Sequence, residues 1–144
     1  MKIKYIFKSG RKNRINSLKN FPNEFFYGYP FLIENGFDVE IIEESDLEIH
    51  KNTFVLSYIN KFLNLIFDFP LLHFVKLLNK KNLTLLNNAD ILITTTNAVG
   101  LSLGLLKNLN LIKKPIIFIA MGLLPLKNNF FKVLYYKFFL QNLK

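Results

Sequence analysis

The run Ala89-Asp-Ile-Leu-Ile-Thr-Thr95, continuing as Thr96-Asn97-Ala-Val-Gly100, sets the architecture of the whole chain. Its centre is apolar and β-branched without strict alternation, the pattern of a strand covered on both faces in a parallel sheet. Thr96 and Asn97 then offer helix caps, and Val99, Leu101, Leu103, Leu105, Leu106 and Leu109 carry a helix to Asn110. Pro115 to Met121 is again continuous and apolar, which predicts another buried strand ended by Gly122. From Asn128 to Leu143 a last helix is expected, with apolar residues around nearly its whole circumference.

Upstream, the region 53–80 has helical length and composition, and Pro70 divides it, since a proline inside a helix costs about 3 kcal/mol. Phe37 to Ile42 alternates as a strand, joined by Asn35-Gly36 to a helix that begins at Asn23 and carries Phe25, Phe26, Tyr29, Phe31, Leu32 and Ile33. Lys2 to Lys8 alternates Ile3, Tyr5 and Phe7 with lysines, although Ile6 breaks the pattern on its polar side. Strands and helices therefore alternate throughout. That order predicts an α/β fold with a Rossmann-like, doubly wound parallel sheet.

At 144 residues the chain is the length of one domain, and 51% hydrophobic against 20% charged residues excludes a disordered segment. It has no cysteine and only two histidines, His50 and His73, far apart in the chain, so thiol chemistry is excluded and no metal site is expected. The net charge of +9 is uneven: residues 1–20 carry seven Lys or Arg and no acid, whereas 21–50 carry eight acids and neither Lys nor Arg. Lys outnumbers Arg seventeen to two, and phosphate forks and base readout favour Arg, so no nucleic-acid partner is expected. The apolar run after the N-terminal lysines is too short for an export signal, which predicts a cytoplasmic protein. Phe54 to Leu78 is too interrupted to span a bilayer but is able to lie on one, so peripheral contact at the inner membrane face stays open.

In such sheets ligands bind beyond the carboxyl ends of the strands. The loop Ser9-Gly10-Arg11-Lys12-Asn13-Arg14 combines a glycine with cations that suit a phosphate, yet matches neither a dinucleotide fingerprint nor a Walker sequence. Asn97 lies at a helix N-terminus, and Gly122 directly follows a buried strand. Gly100 and Gly104, one turn apart, read best as contacts that bring their helix close to the sheet. Glu24, Tyr27 and Gly28 lie at the start of the first long helix, where a glycine needs a packing or binding reason. No nucleophile, base and orienting acid can be assembled, so no catalytic residue and no cofactor are assigned.

Glu24-Phe-Phe-Tyr-Gly28, Leu32-Ile-Glu-Asn-Gly36-Phe-Asp-Val39, Ala89 to Gly100 and Lys114-Pro-Ile-Ile-Phe-Ile together resemble the N-terminal half of a GT-B glycosyltransferase, most nearly family 4. The resemblance implies one acceptor-binding domain over residues 1–144, an incomplete GT-B fold without the donor-binding domain. It implies a nucleotide-sugar donor held by that missing domain and a glycan or lipid-linked acceptor, with Gly10, Glu24, Tyr27, Gly28, Asn97 and Gly122 at the cleft. An isolated fragment of this kind is expected to be inactive. Two alternatives stay open: a non-catalytic, membrane-associated subunit of a two-chain glycosyltransferase, and a small phosphate- or nucleotide-binding Rossmann-like protein.

Overall fold

The structure, a computed structural model, describes residues 1–15, 26–48, 54–67, 71–120, 133 and 137–138. Its elements are β1 (Lys2–Phe7), α1 (Arg11–Ile15), α2 (Tyr29–Glu34), β2 (Asp38–Glu43), α3 (Phe54–Phe67), α4 (Leu71–Leu77), α5 (Lys80–Asn87), β3 (Ile91–Thr94), α6 (Asn97–Asn108) and β4 (Ile116–Phe118). The strands form one all-parallel sheet in the order β2-β1-β3-β4, flanked by helices as a Rossmann-like α/β fold requires. The register sets Ile3 against both Val39 and Ile91, and Leu92 against Ile116.

Two apolar layers clothe the sheet. On one face Ile6, Ile42, Leu92 and Ile116 pack with Leu77 of α4, Leu86 of α5 and Val99, Leu103 and Leu106 of α6. On the other, Ile3, Tyr5, Phe7 and Ile93 meet Tyr29 and Leu32 of α2 and the neighbouring Tyr27 and Phe37. Strand β1 is therefore covered on both sides. Its lysines do not mark a solvent face: Lys4 is 1% exposed, and its Nζ donates to the Leu85 carbonyl at 2.8 Å and pairs with Glu40 Oε2 at 3.2 Å. Ile6, which broke the alternation, was the residue that reported the true environment.

Caps and breaks fall where the chemistry places them. The stop after α2 is a Schellman turn, with the N–H of Gly36 donating to Ile33 O and that of Phe37 to Leu32 O, and Gly36 at φ 77°. The region 53–80 is divided between α3 and α4, and a further helix, α5, follows, which periodicity did not separate. Asn79 caps α5 by accepting from the Lys81 N–H. Asn82, 2% exposed, joins three segments: its Oδ1 accepts from Glu48 N, and its Nδ2 donates to the carbonyls of Glu48 and Lys76.

Several expected boundaries shift. The described part of the first long helix begins at Tyr29 rather than Asn23, because Tyr27 and Gly28 are both left-handed, at φ 48° and 82°. Residues 9–14 are not a loop throughout, since α1 begins at Arg11. The helix expected over 128–143 lies outside the described residues except for Val133, Lys137 and Phe138, which are helical. Gly100 has the packing role expected of it: a Cβ there would meet the Phe118 ring at 2.5 Å.

Candidate functional site

Strand β1 is central, with β2 on one side and β3 on the other, so the chain departs from the middle of the sheet in opposite directions. Such a reversal opens a crevice at the carboxyl ends of the two strands, where open α/β sheets place ligands. Here the crevice lies between the ends of β1 and β3, closed below by the Ile6–Thr94 pair. The Thr94 hydroxyl donates to the Ile6 carbonyl at 3.0 Å, and Ile119 N donates to Thr94 O at 2.9 Å, so its floor is fixed on both sides.

Ser9-Gly10 rises on one bank and Thr95-Thr96-Asn97 on the other. Gly10 takes φ 94°, and a Cβ there would meet nothing within 4 Å. The turn demands glycine for its backbone, not for close packing. Thr96 is the cap residue of α6 but makes no side-chain cap bond; instead its N–H lies 3.4 Å from Thr94 Oγ1.

The amides of the Gly10 segment already have an acceptor within the chain. Glu43, at the end of β2 and 7% exposed, accepts from the Lys12 N–H at 2.5 Å. Burial alone would push this carboxyl up, but the backbone N–H groups of Lys12, Gly10 and Arg11 outweigh it and hold it below the usual carboxylate range. Lys12 Nζ is spent as well, on Asp46 at 2.6 Å. Asp46 Oδ2 in turn accepts from the Glu43 N–H at 2.8 Å. Burial also raises Asp46, and Lys12 with the Glu43 N–H brings it down further than burial lifts it. An internal carboxylate thus receives the N–H groups of the glycine turn.

Tyr27 and Gly28 lie over the α2 face of β1. The Tyr5 hydroxyl donates to the Tyr27 carbonyl at 2.8 Å, and burial holds it above its usual pKa range. Gly28 caps α2 in the left-handed region, with only the Tyr5 hydroxyl oxygen near its missing Cβ, at 3.9 Å. Its reason for being glycine is backbone conformation. Tyr5 stacks on Phe7 at 5.3 Å and meets Tyr29 edge-on at 5.8 Å, which makes an aromatic wall beneath this turn.

Of the six expected cleft residues, Gly10 follows the carboxyl end of β1 and Asn97 that of β3, and Tyr27 and Gly28 are joined to β1 through Tyr5. Glu24 and Gly122 lie outside the described residues. Glu43 and Asp46 were missed. Their signal was available in the acidic Glu43-Glu-Ser-Asp46 at a strand end, opposite the basic residues that end the neighbouring strand. His73 Nδ1 lies 3.3 Å from Glu44 Oε1, which ties α4 to the segment after β2. Among the described residues no three His, Asp or Glu gather as a metal site needs, and no helix is long and apolar enough to cross a membrane.

No family model, curated protein or solved structure matches this chain.

Proposed function

We propose that this chain is the acceptor-binding domain of a GT-B type glycosyltransferase, in which a sugar passes from a nucleotide donor to a glycan or lipid-linked acceptor. The observation that supports the reading best is the parallel pairing of β1 with β3, which brings the strand end before the Gly10 turn beside the end of β3 in the segment Ala89 to Gly100. The Glu43 carboxylate on the amides of Gly10, Arg11 and Lys12 fits the same reading. A domain that leaves the nucleotide to another domain has no need of a phosphate cradle. The alternative of a small phosphate-binding protein loses its best device to Glu43.

The test is an amide NMR titration of the full chain with two groups of probes. One group is UDP-glucose, GDP-mannose and inorganic phosphate; the other is a glycan panel with a short-chain polyprenyl-linked sugar. The expected result is saturable shifts at Gly10, Gly28 and Asn97 with an acceptor probe and none with the nucleotides. Saturable shifts at Gly10 and Asn97 with nucleotide sugar or phosphate would replace the proposal with the nucleotide-binding reading. Silence from every acceptor probe would remove its basis.

A further inference from the structure

Helix α3 turns an apolar face to water. Its Asn60 turns toward α4, where Oδ1 accepts from the Leu72 N–H at 3.1 Å. Its outward residues are apolar: Tyr58 is 62% exposed, Phe62 61% and Leu65 82%, with Ile59 beside them at 44%. At about 100° per residue these four fall within an arc of roughly 120°, and Asn60 lies on the far side of the helix. Lys61 borders the arc, its Nζ 5.9 Å from the Tyr58 ring centroid. It is the one charged residue of α3, which contains no acid.

We infer that α3 lays this arc on an anionic membrane surface. Apolar side chains on one face, an aromatic ring with a hydroxyl and a cation at the margin are what an interfacial helix uses to enter the headgroup boundary. Tyr58 suits that boundary because its ring is apolar and its hydroxyl wet. Charge decides between the candidate occupants. The chain carries +9 overall, so a second copy packed on the same face would bring Lys61 toward Lys61 and one cationic chain against another. An anionic bilayer complements the same charges, each lysine near its surface adding to the attraction. The helix lies on the membrane and does not cross it. This inference stands on the face of α3 and the charge of the chain, and is independent of the transferase reading.

The experiment is vesicle co-sedimentation of the full chain, using phosphatidylcholine with and without about one third phosphatidylglycerol. The wild type is expected to bind the anionic vesicles, and salt is expected to weaken that binding. Replacing both Phe62→Ser and Leu65→Ser is expected to lower the partition coefficient at least about tenfold, since both side chains lose their apolar burial. The circular dichroism spectrum should stay the same, because neither residue is in the core. Lys61→Glu should weaken binding to the anionic vesicles severalfold and leave the neutral ones nearly unaffected. Wild type that ignores anionic vesicles, or a Ser double variant that binds as well as wild type, overturns the inference. So does sedimentation equilibrium showing a dimer that the double variant dissociates, which would assign the face to a second copy.

Discussion

Replacing Glu43 tests the link between the sheet and the turn at its carboxyl edge. Glu43→Gln keeps the shape but turns one acceptor into a donor and removes the charge from a group that receives the N–H groups of Gly10, Arg11 and Lys12. A hydrogen bond to a charged group contributes about 1.5–3 kcal/mol and a neutral one about 0.5–1.5 kcal/mol. Three such bonds weakened by about 1 kcal/mol each, with water reaching the exposed turn to offset part of the loss, give a destabilisation of about 2 kcal/mol. The pH dependence carries the sign. The folded-state pKa of Glu43 is depressed, so its contribution is complete above the ordinary value of 4.5 and disappears as pH falls through the lower folded value. Urea unfolding followed by far-ultraviolet circular dichroism should therefore separate wild type from Glu43→Gln by about 2 kcal/mol at about pH 7, and the gap should narrow as pH falls below 4.5. A gap that stayed constant down to acid pH would refute the charge-assisted account. No gap at neutral pH would refute the cradle itself.

Further substitutions address the packing and the backbone. Gly100→Ala should destabilise by about 1 kcal/mol or more in thermal melts, because overpacking against Phe118 at about 1–3 kcal/mol exceeds the gain of up to about 1 kcal/mol in helix propensity. Pairing it with Phe118→Ala should be less harmful than the two single effects added together, as a double-mutant cycle would read. Lys4→Met should stay within about 1.5 kcal/mol of wild type in denaturant unfolding, while Lys4→Ala, which leaves a cavity beneath α5, should cost about 2–4 kcal/mol. In an NMR titration of Lys4→Met the Glu40 carboxyl should rise from its depressed pKa, since burial lifts it and Lys4 with Lys2 outweighs that. Gly36→Ala should cost about 1–2 kcal/mol by unfolding, from the left-handed backbone alone, because space for a Cβ is open.

β1 and β2 were readable from alternation and β3 and β4 from apolar runs, each a constraint local to a few residues, but β4 covers only Ile116–Phe118 of the buried strand expected from Pro115, and its Ile117 is 48% exposed. The stop at Asn35-Gly36 was equally local. Other features depended on distant partners. Lys4 looks solvent-facing until Glu40 and the Leu85 carbonyl, 36 and 81 residues away, arrive to receive its charge. Glu43 was missed for the same reason: a glycine followed by cations fits an anion, and nothing within that stretch reveals that a carboxylate 31 residues beyond Lys12 accepts from its amides. Helix α5 escaped because Asn79, its cap, stands inside a stretch whose composition is helical on both sides.

The pairing of β1 has a consequence for how the chain is made. Its inner partner β3 begins 88 residues later, as the Ile3–Ile91 pairing shows. At about 5–20 residues per second, a ribosome takes roughly 4–18 seconds to make that interval. Throughout it, Ile3, Tyr5, Ile6 and Phe7 have been made but lack the strand that completes their burial. The first strand to be synthesised is thus among the last to be enclosed, and the nascent chain leaves its four large apolar residues without their inner partner throughout that interval. Chaperone demand during translation should therefore follow the wait for residues 91–94 more closely than the stability of the finished domain.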